Sequence, residues 1–114
     1  MISIYHNPRC SKSRQALAIL EGMHVPINIL LYLETPPTAS VLAEILLKLG
    51  ISARELLRTG EDAYKEKNLS DHKKTERQII DAMVSNPKLI ERPIVINGSK
   101  AIIGRPPEQV LEIF

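Results

Sequence analysis

An α/β fold with helices inserted in its middle is predicted by three features of this 114-residue sequence. A strand-like run, a helix-like run and a second strand-like run fill about the first thirty residues, the order of a βαβ unit. The central third carries only helical spacing. Strand character then returns in "PIVING" and "AIIG", joined across Asn97-Gly98, a strong short-range hairpin signal.

Taken in order, "ISIY" (2–5) is apolar, rich in β-branched residues and stopped by "HNP", so it reads as the first strand. From Ser11, "SKSRQALAILEG" places Ala16, Leu17, Ile19 and Leu20 on a partial helical face and closes at Gly22. "VPINILLYL" (25–33) is almost continuously apolar, as a buried strand would be. "ETPPTAS" (34–40) is a turn with Thr38 as a candidate N-cap, and an amphipathic helix follows over 40–50, closed by Gly50. A short helix capped by Ser52 is expected over 52–60. A longer one is expected over 70–87, with Ile79, Ile80, Met83 and Val84 at helical spacing before Pro87. After the hairpin, "PPEQVLEIF" (106–114) opens with proline in a favourable first-turn position and predicts a terminal helix. The sum is β-α-β, a helical insert at about 36–88, then β-β-α. That is a thioredoxin-like core in one domain spanning 1–114.

Composition limits the function. Apolar residues at 44% and charged residues at 25% are those of a soluble globular protein. A net charge of +2 is weak support for an anionic ligand and too small to argue for nucleic acid. One cysteine excludes an internal disulfide, and neither it nor His6, His24 and His72 have metal-ligand spacing. His24 and His72 read as surface residues. "MISIYHNP" has neither the basic start nor the apolar run of a signal peptide, and no apolar stretch is long enough to span a bilayer. A cytoplasmic protein, off the membrane and monomeric, is expected.

The lone cysteine lies in "YHNPRCSKSR", where the loop after the first strand meets the first helix. Unpaired N–H groups and the positive end of the helix dipole favour a negative charge at such a position. Arg9, Lys12 and Arg14 add positive charge, and the Ser13 hydroxyl is placed to turn toward the sulfur. A free thiol with a pKa of about 8.5 is only about 3% thiolate at pH 7. Lowering the pKa by about two, worth about 2.7 kcal/mol, makes thiolate the major form. A packed, unreactive cysteine beside this many charges would be costly to bury. His6 fits two roles: tuning the thiolate or donating within the loop, and holding the turn together with Asn7.

Taken together, "IYHNPRCSKSR", "LLRTGE", "ERPIVI" and "IGRPPE" resemble the glutaredoxin-dependent arsenate reductase family, thioredoxin-fold enzymes with one catalytic cysteine. The resemblance runs over almost the whole chain. It implies that Cys10 is the nucleophile and that Arg58, Arg92 and Arg105 bind the oxyanion. It further implies that Ser13 supplies a hydroxyl to the sulfur, that His6 is the loop histidine and that Pro93 is the family's cis-proline. The longer C-terminal tail of some members is absent from the sequence. Independently of the resemblance, three arginines from separate segments would form a planar, permanently charged clamp for a tetrahedral oxyanion. Arg92 and Arg105 each precede a proline, which favours extended backbone at strand ends. Arg58 is expected to close the short helix of the insert. Arg54, Arg77, Lys73 and Lys74 read as solvated charges.

The implied reaction is reduction of arsenate to arsenite, with glutathione as co-substrate, glutaredoxin as partner, and no metal or tightly bound cofactor. The single thiol agrees, because the second thiol must then come from outside the chain. Two alternatives stand beside it. One is a general glutathione-dependent thiol reductase using the same Cys10. The other is a thiol-stress regulator that binds RNA polymerase, although such regulators typically carry C-x-x-C where this chain has "CSKS".

Overall fold

Four short strands build one mixed sheet in the computed structural model, which describes all 114 residues. They are β1 (Ile2–Tyr5), β2 (Ile27–Leu30), β3 (Ile94–Asn97) and β4 (Lys100–Ile103), in spatial order β2-β1-β3-β4. β1 runs parallel to β2 and antiparallel to β3, and β3 runs antiparallel to β4. The helices are α1 (Ser11–Glu21), α2 (Ala39–Leu49), α3 (Ala53–Leu56), α4 (Asp62–Glu66) and α5 (Glu76–Ser85). A 3-10 turn covers Pro87–Leu89 and a 3-10 helix covers Pro107–Ile113. This is the mixed α/β, thioredoxin-like order read from the sequence. No helix is long and apolar enough to cross a membrane.

The chain divides into two compact units, residues 1–35 with 92–114, and residues 36–91. In the first, Ile2 and Ile4 alternate onto the face of β1 that meets Ala16 and Leu20 of α1, Val95 of β3, and Val110 and Ile113 of the 3-10 helix. In the second, α5 packs against α2, α3 and the 3-10 turn, burying Leu42, Leu56, Ile79, Met83 and Leu89. This unit runs to Glu91 rather than to about 88. Ile90 pairs with Leu57, Glu91 N–H donates to the Leu56 carbonyl (3.0 Å) and Arg58 N–H to that of Leu89 (2.8 Å).

Several elements differ from their sequence expectation for identifiable reasons. β2 is an edge strand, not a buried one, and Ile29 is 44% exposed. It is also short, because the N–H groups of Glu34 and Thr35 fold back onto the Leu31 carbonyl. α5 starts at Glu76 because Thr75 and Gln78 form a reciprocal capping box, leaving 71–74 as a turn closed by Asp71. α4 carries no buried residue, so it leaves no apolar spacing to read. The terminal helix is 3-10 because its buried residues Pro107, Val110 and Ile113 recur every third position, matching three residues per turn. The hairpin loop is Gly98-Ser99, with Gly98 at φ +62°; Asn97 stays in the ladder opposite Lys100, and its side chain donates to the Ile113 carbonyl (3.0 Å).

Candidate active site

Strand register explains how residues far apart in sequence meet. The cross-strand partners Tyr5, Ile94 and Ile103 line up across β1, β3 and β4. The end of β1, the start of β3 and the end of β4 therefore share one edge of the first unit. The 6–10 loop, Arg92-Pro93 and Gly104-Arg105 are the residues next to these three strand ends.

The loop closes onto the first turn of α1. His6 N–H donates to the Leu30 carbonyl (2.8 Å), prolonging the β1–β2 pairing, and Cys10 N–H donates to the Asn7 carbonyl (3.0 Å). The buried Ser13 hydroxyl lies 2.6 Å from His6 Nδ1 and accepts the Asn7 N–H at 3.1 Å. Asn7 Oδ1 accepts Arg9 N–H (3.0 Å), and Arg14 Nη1 donates to the Pro8 carbonyl (2.9 Å). His6 thus holds the loop through Ser13. Burial pulls the His6 pKa below its ordinary value, with Glu21 opposing and Arg14 assisting, so a neutral ring is favoured.

One expectation about this loop is corrected. The Ser13 hydroxyl serves His6 and Asn7, and it is the Ser13 backbone N–H that supports the sulfur. Arg92 is the guanidinium that lowers the thiol pKa, while Arg14 donates to the Pro8 carbonyl.

Cys10 is the N-cap residue of α1, with extended backbone at φ −94° and ψ 121° and no capping hydrogen bond from its side chain. Burial pushes the thiol pKa up. The Ser13 N–H, the Arg92 guanidinium through hydrogen bond and charge, and the Lys12 N–H together outweigh it, so the pKa lies below the ordinary thiol value. Arg105 Nη2 lies 3.6 Å from Cys10 Sγ, and its Nε donates to the Arg92 carbonyl at 2.7 Å. Both Arg92–Pro93 and Arg105–Pro106 peptide bonds are cis.

Gly104 makes this approach fit. A Cβ there would lie 2.9 Å from both Pro93 Cγ and Val110 Cγ1, while Gly104 N–H donates to the Pro93 carbonyl (2.9 Å). The glycine before Arg105 and the buried proline after Arg92 are therefore in direct contact. No feature of the sequence apart from their places in "ERPIVI" and "IGRPPE" marks them as a pair.

Of the seven residues singled out from sequence, His6, Cys10, Ser13, Arg92, Pro93 and Arg105 lie in the first unit, around one sulfur and its loop. Arg58 belongs to the second unit, two residues beyond α3 rather than closing it. There its Nη1 meets Glu91 at 2.7 Å and its Nε meets Glu61 at 3.4 Å. Burial alone would lower its pKa, but the two carboxylates, Glu91 foremost, raise it. Neither glutamate was singled out from sequence, although Glu61 follows Arg58 by three residues. Arg54 is also corrected: it is half-buried and donates to the Leu69 (2.7 Å) and Asp71 (3.1 Å) carbonyls, pinning the segment between α4 and α5. Arg77 keeps its solvated character, in an exposed pair with Asp81.

Residues 5–113 match the family model described as the ArsC family. The chain is similar to the uncharacterized protein YfgD of Escherichia coli strain K12, 58% identical over 113 residues that cover 98% of this chain and 95% of that one. It is also similar to an arsenate reductase of Haemophilus influenzae, 48% identical over 114 residues, covering 99% and 98% respectively. Among solved structures, an arsenate reductase from Vibrio cholerae aligns with a TM-score of 0.96 at 46% identity, covering 99% of this chain and 97% of that one.

Proposed function

Because this chain belongs to the ArsC family, we propose that it reduces arsenate to arsenite through a Cys10 thiolate, drawing its electrons from glutathione and glutaredoxin. The observation that carries this reading is the Cys10 sulfur set under Arg105 Nη2 at 3.6 Å, with the Arg92 guanidinium on the same sulfur. Guanidinium groups that lower a thiol pKa also attract a tetrahedral dianion to that thiol.

Arsenate is held by Arg92 and Arg105 beside the Cys10 sulfur. The Cys10 thiolate attacks arsenic, an S–As bond forms, and one oxygen leaves and is protonated to water while the arginines carry the oxyanion charge. A glutathione thiolate then attacks the Cys10 sulfur of the adduct. The S–As electron pair passes to arsenic, reducing it from As(V) to As(III), and arsenite departs after proton uptake. A mixed disulfide of Cys10 and glutathione remains. Glutaredoxin resolves it, taking the glutathione and returning the Cys10 thiolate. Two thiol electrons are consumed per arsenate, and no metal or tightly bound cofactor takes part.

The test is arsenate-dependent NADPH oxidation in the presence of glutathione, glutaredoxin and glutathione reductase. Saturable turnover that falls about a thousandfold or more in Cys10→Ser is expected. Absence of arsenate dependence, with the glutaredoxin system shown to work, rejects the arsenate reading in favour of general thiol reduction at the same cysteine.

A further inference from the structure

Next to the loop that carries Cys10, the first unit contains a cleft of about 300 Å³ that the steps above leave unused. One wall is the 6–9 loop after β1; the other is Leu31, Leu33 and Glu34, from the segment after β2. The His6 N–H to Leu30 carbonyl bond ties together the two strand ends from which these walls leave. The cleft therefore lies off the carboxyl ends of the parallel pair β1 and β2, where open α/β sheets bind small molecules.

Its chemistry narrows the ligand. The volume is at the lower end for small-molecule sites and suits a metabolite rather than a protein segment. Arg9 and Glu34 bring opposite charges to the walls, and neither side chain enters an ion pair. Leu31 and Leu33 supply an apolar strip, and Leu31 is 36% exposed there. Such a surface matches a small zwitterion with a short aliphatic stem. Arg9 directly precedes Cys10, whose N–H returns to the Asn7 carbonyl at 3.0 Å, so the loop that walls the cleft is the loop that carries the nucleophile.

We infer that this cleft receives the outside thiol, a tripeptide-sized zwitterion of the glutathione kind. Its carboxylate meets Arg9, its ammonium meets Glu34 and its sulfur is directed to Cys10. The inference rests on the proposed reading that the second thiol comes from solution, and it adds where that thiol docks.

Two measurements test it without arsenate. First, the ¹⁵N-labelled protein is titrated with S-methylglutathione, a thioether that cannot exchange with Cys10. Second, thiolation of Cys10 by glutathione disulfide is timed against thiolation by uncharged 2-hydroxyethyl disulfide. The second measurement uses the native protein, Glu34→Lys, and Glu112→Lys as an equal change of net charge at another exposed site. Saturating amide shifts in 6–9 and 31–34 are expected. In Glu34→Lys the glutathione-disulfide rate should fall about tenfold relative to the uncharged reagent, equivalent to about 1.4 kcal/mol, with no such fall in Glu112→Lys. Absence of shifts in those segments, an unchanged ratio in Glu34→Lys, or equal falls in both variants overturns the site. Arsenate turnover without cleft shifts would reject only the docking site. Cleft shifts without arsenate turnover would keep it and reject the arsenate reading.

Discussion

Cys10 and Arg58 are two half-buried ionisable groups whose charged forms are favoured by different kinds of partner. Burial alone disfavours the charged form of each, and in both cases polar partners overcome it. Around Cys10 the partners are backbone N–H groups at a helix start and guanidinium groups next to strand ends, one of them anchored by a 2.7 Å bond to a main-chain carbonyl. Around Arg58 they are two glutamate side chains, at 2.7 and 3.4 Å. Main-chain donors and anchored guanidiniums have little freedom to reorganise when charge appears, which is the arrangement that favours a transition state. Glutamates can swing away, so Arg58 is held in an exchangeable pair. The charged form of Cys10 is thus favoured by groups fixed on the backbone of the first unit, whereas that of Arg58 is favoured by two side-chain carboxylates of the second.

The largest effect should come from breaking the cationic side of that comparison. Arg92→Ala is expected to lower kcat/KM for arsenate about a hundred- to a thousandfold, the range for losing one preorganised oxyanion donor. It should also raise the Cys10 pKa, read as a shift to higher pH in the rate of iodoacetamide alkylation. With the folded pKa below the unfolded value of about 8.5, the unfolded chain binds more protons between the two, so stability rises with pH across that window. It is lost as pH falls through the folded pKa. Denaturant titrations against pH should show this rise in the native protein and a shallower one in Arg92→Ala.

Gly104→Ala tests the packing that brings Arg105 to the sulfur. A methyl group 2.9 Å from Pro93 Cγ and Val110 Cγ1 requires a shift of ring or strand, and overpacking of this kind costs about 1–3 kcal/mol. A lower urea midpoint with an unchanged slope is expected, along with a higher alkylation pKa if the strain moves Arg105. An unperturbed midpoint would show that the contact relaxes freely.

Thr75→Ala provides the contrast from the second unit. Removing the capping hydroxyl from α5 should cost about 1 kcal/mol, because the Gln78 N–H loses its acceptor. Cys10 alkylation should keep its pH profile. A shifted profile would mean that the helical unit contributes to thiolate stability.

These contrasts also mark what the amino-acid order discloses. The capping residues Thr38 and Ser52 and the closing Gly50 were readable because a cap is a contact between residues a few positions apart. Cys10 was readable for the same reason, since a helix start is local. The direction of the Ser13 hydroxyl was not, because it depends on where His6 and Asn7 stand after the loop closes. The edge position of β2 was also hidden, since a continuous apolar run does not say whether a strand has one neighbour or two. Likewise, the carboxylate Glu91 lies 33 residues from Arg58, so that pair exists only after the chain folds back along Leu57 and Ile90.

The smallest effect, and the one that most directly probes the exchangeable pair, is expected from Glu91→Gln. Arg58 and Glu91 are each about a quarter exposed, so their ion pair contributes little to stability, about 1 kcal/mol or less. The amide keeps the shape but removes the negative charge beside Arg58. If Arg58 exchanges Glu91 for substrate, the KM for arsenate should fall by about two- to fivefold while kcat stays within about twofold. The interaction being removed would then stabilise only the substrate-free protein. Initial-rate measurements over a range of arsenate concentrations separate the two constants. A rise in KM would assign Glu91 the opposite role, a bracket that holds Arg58 in place.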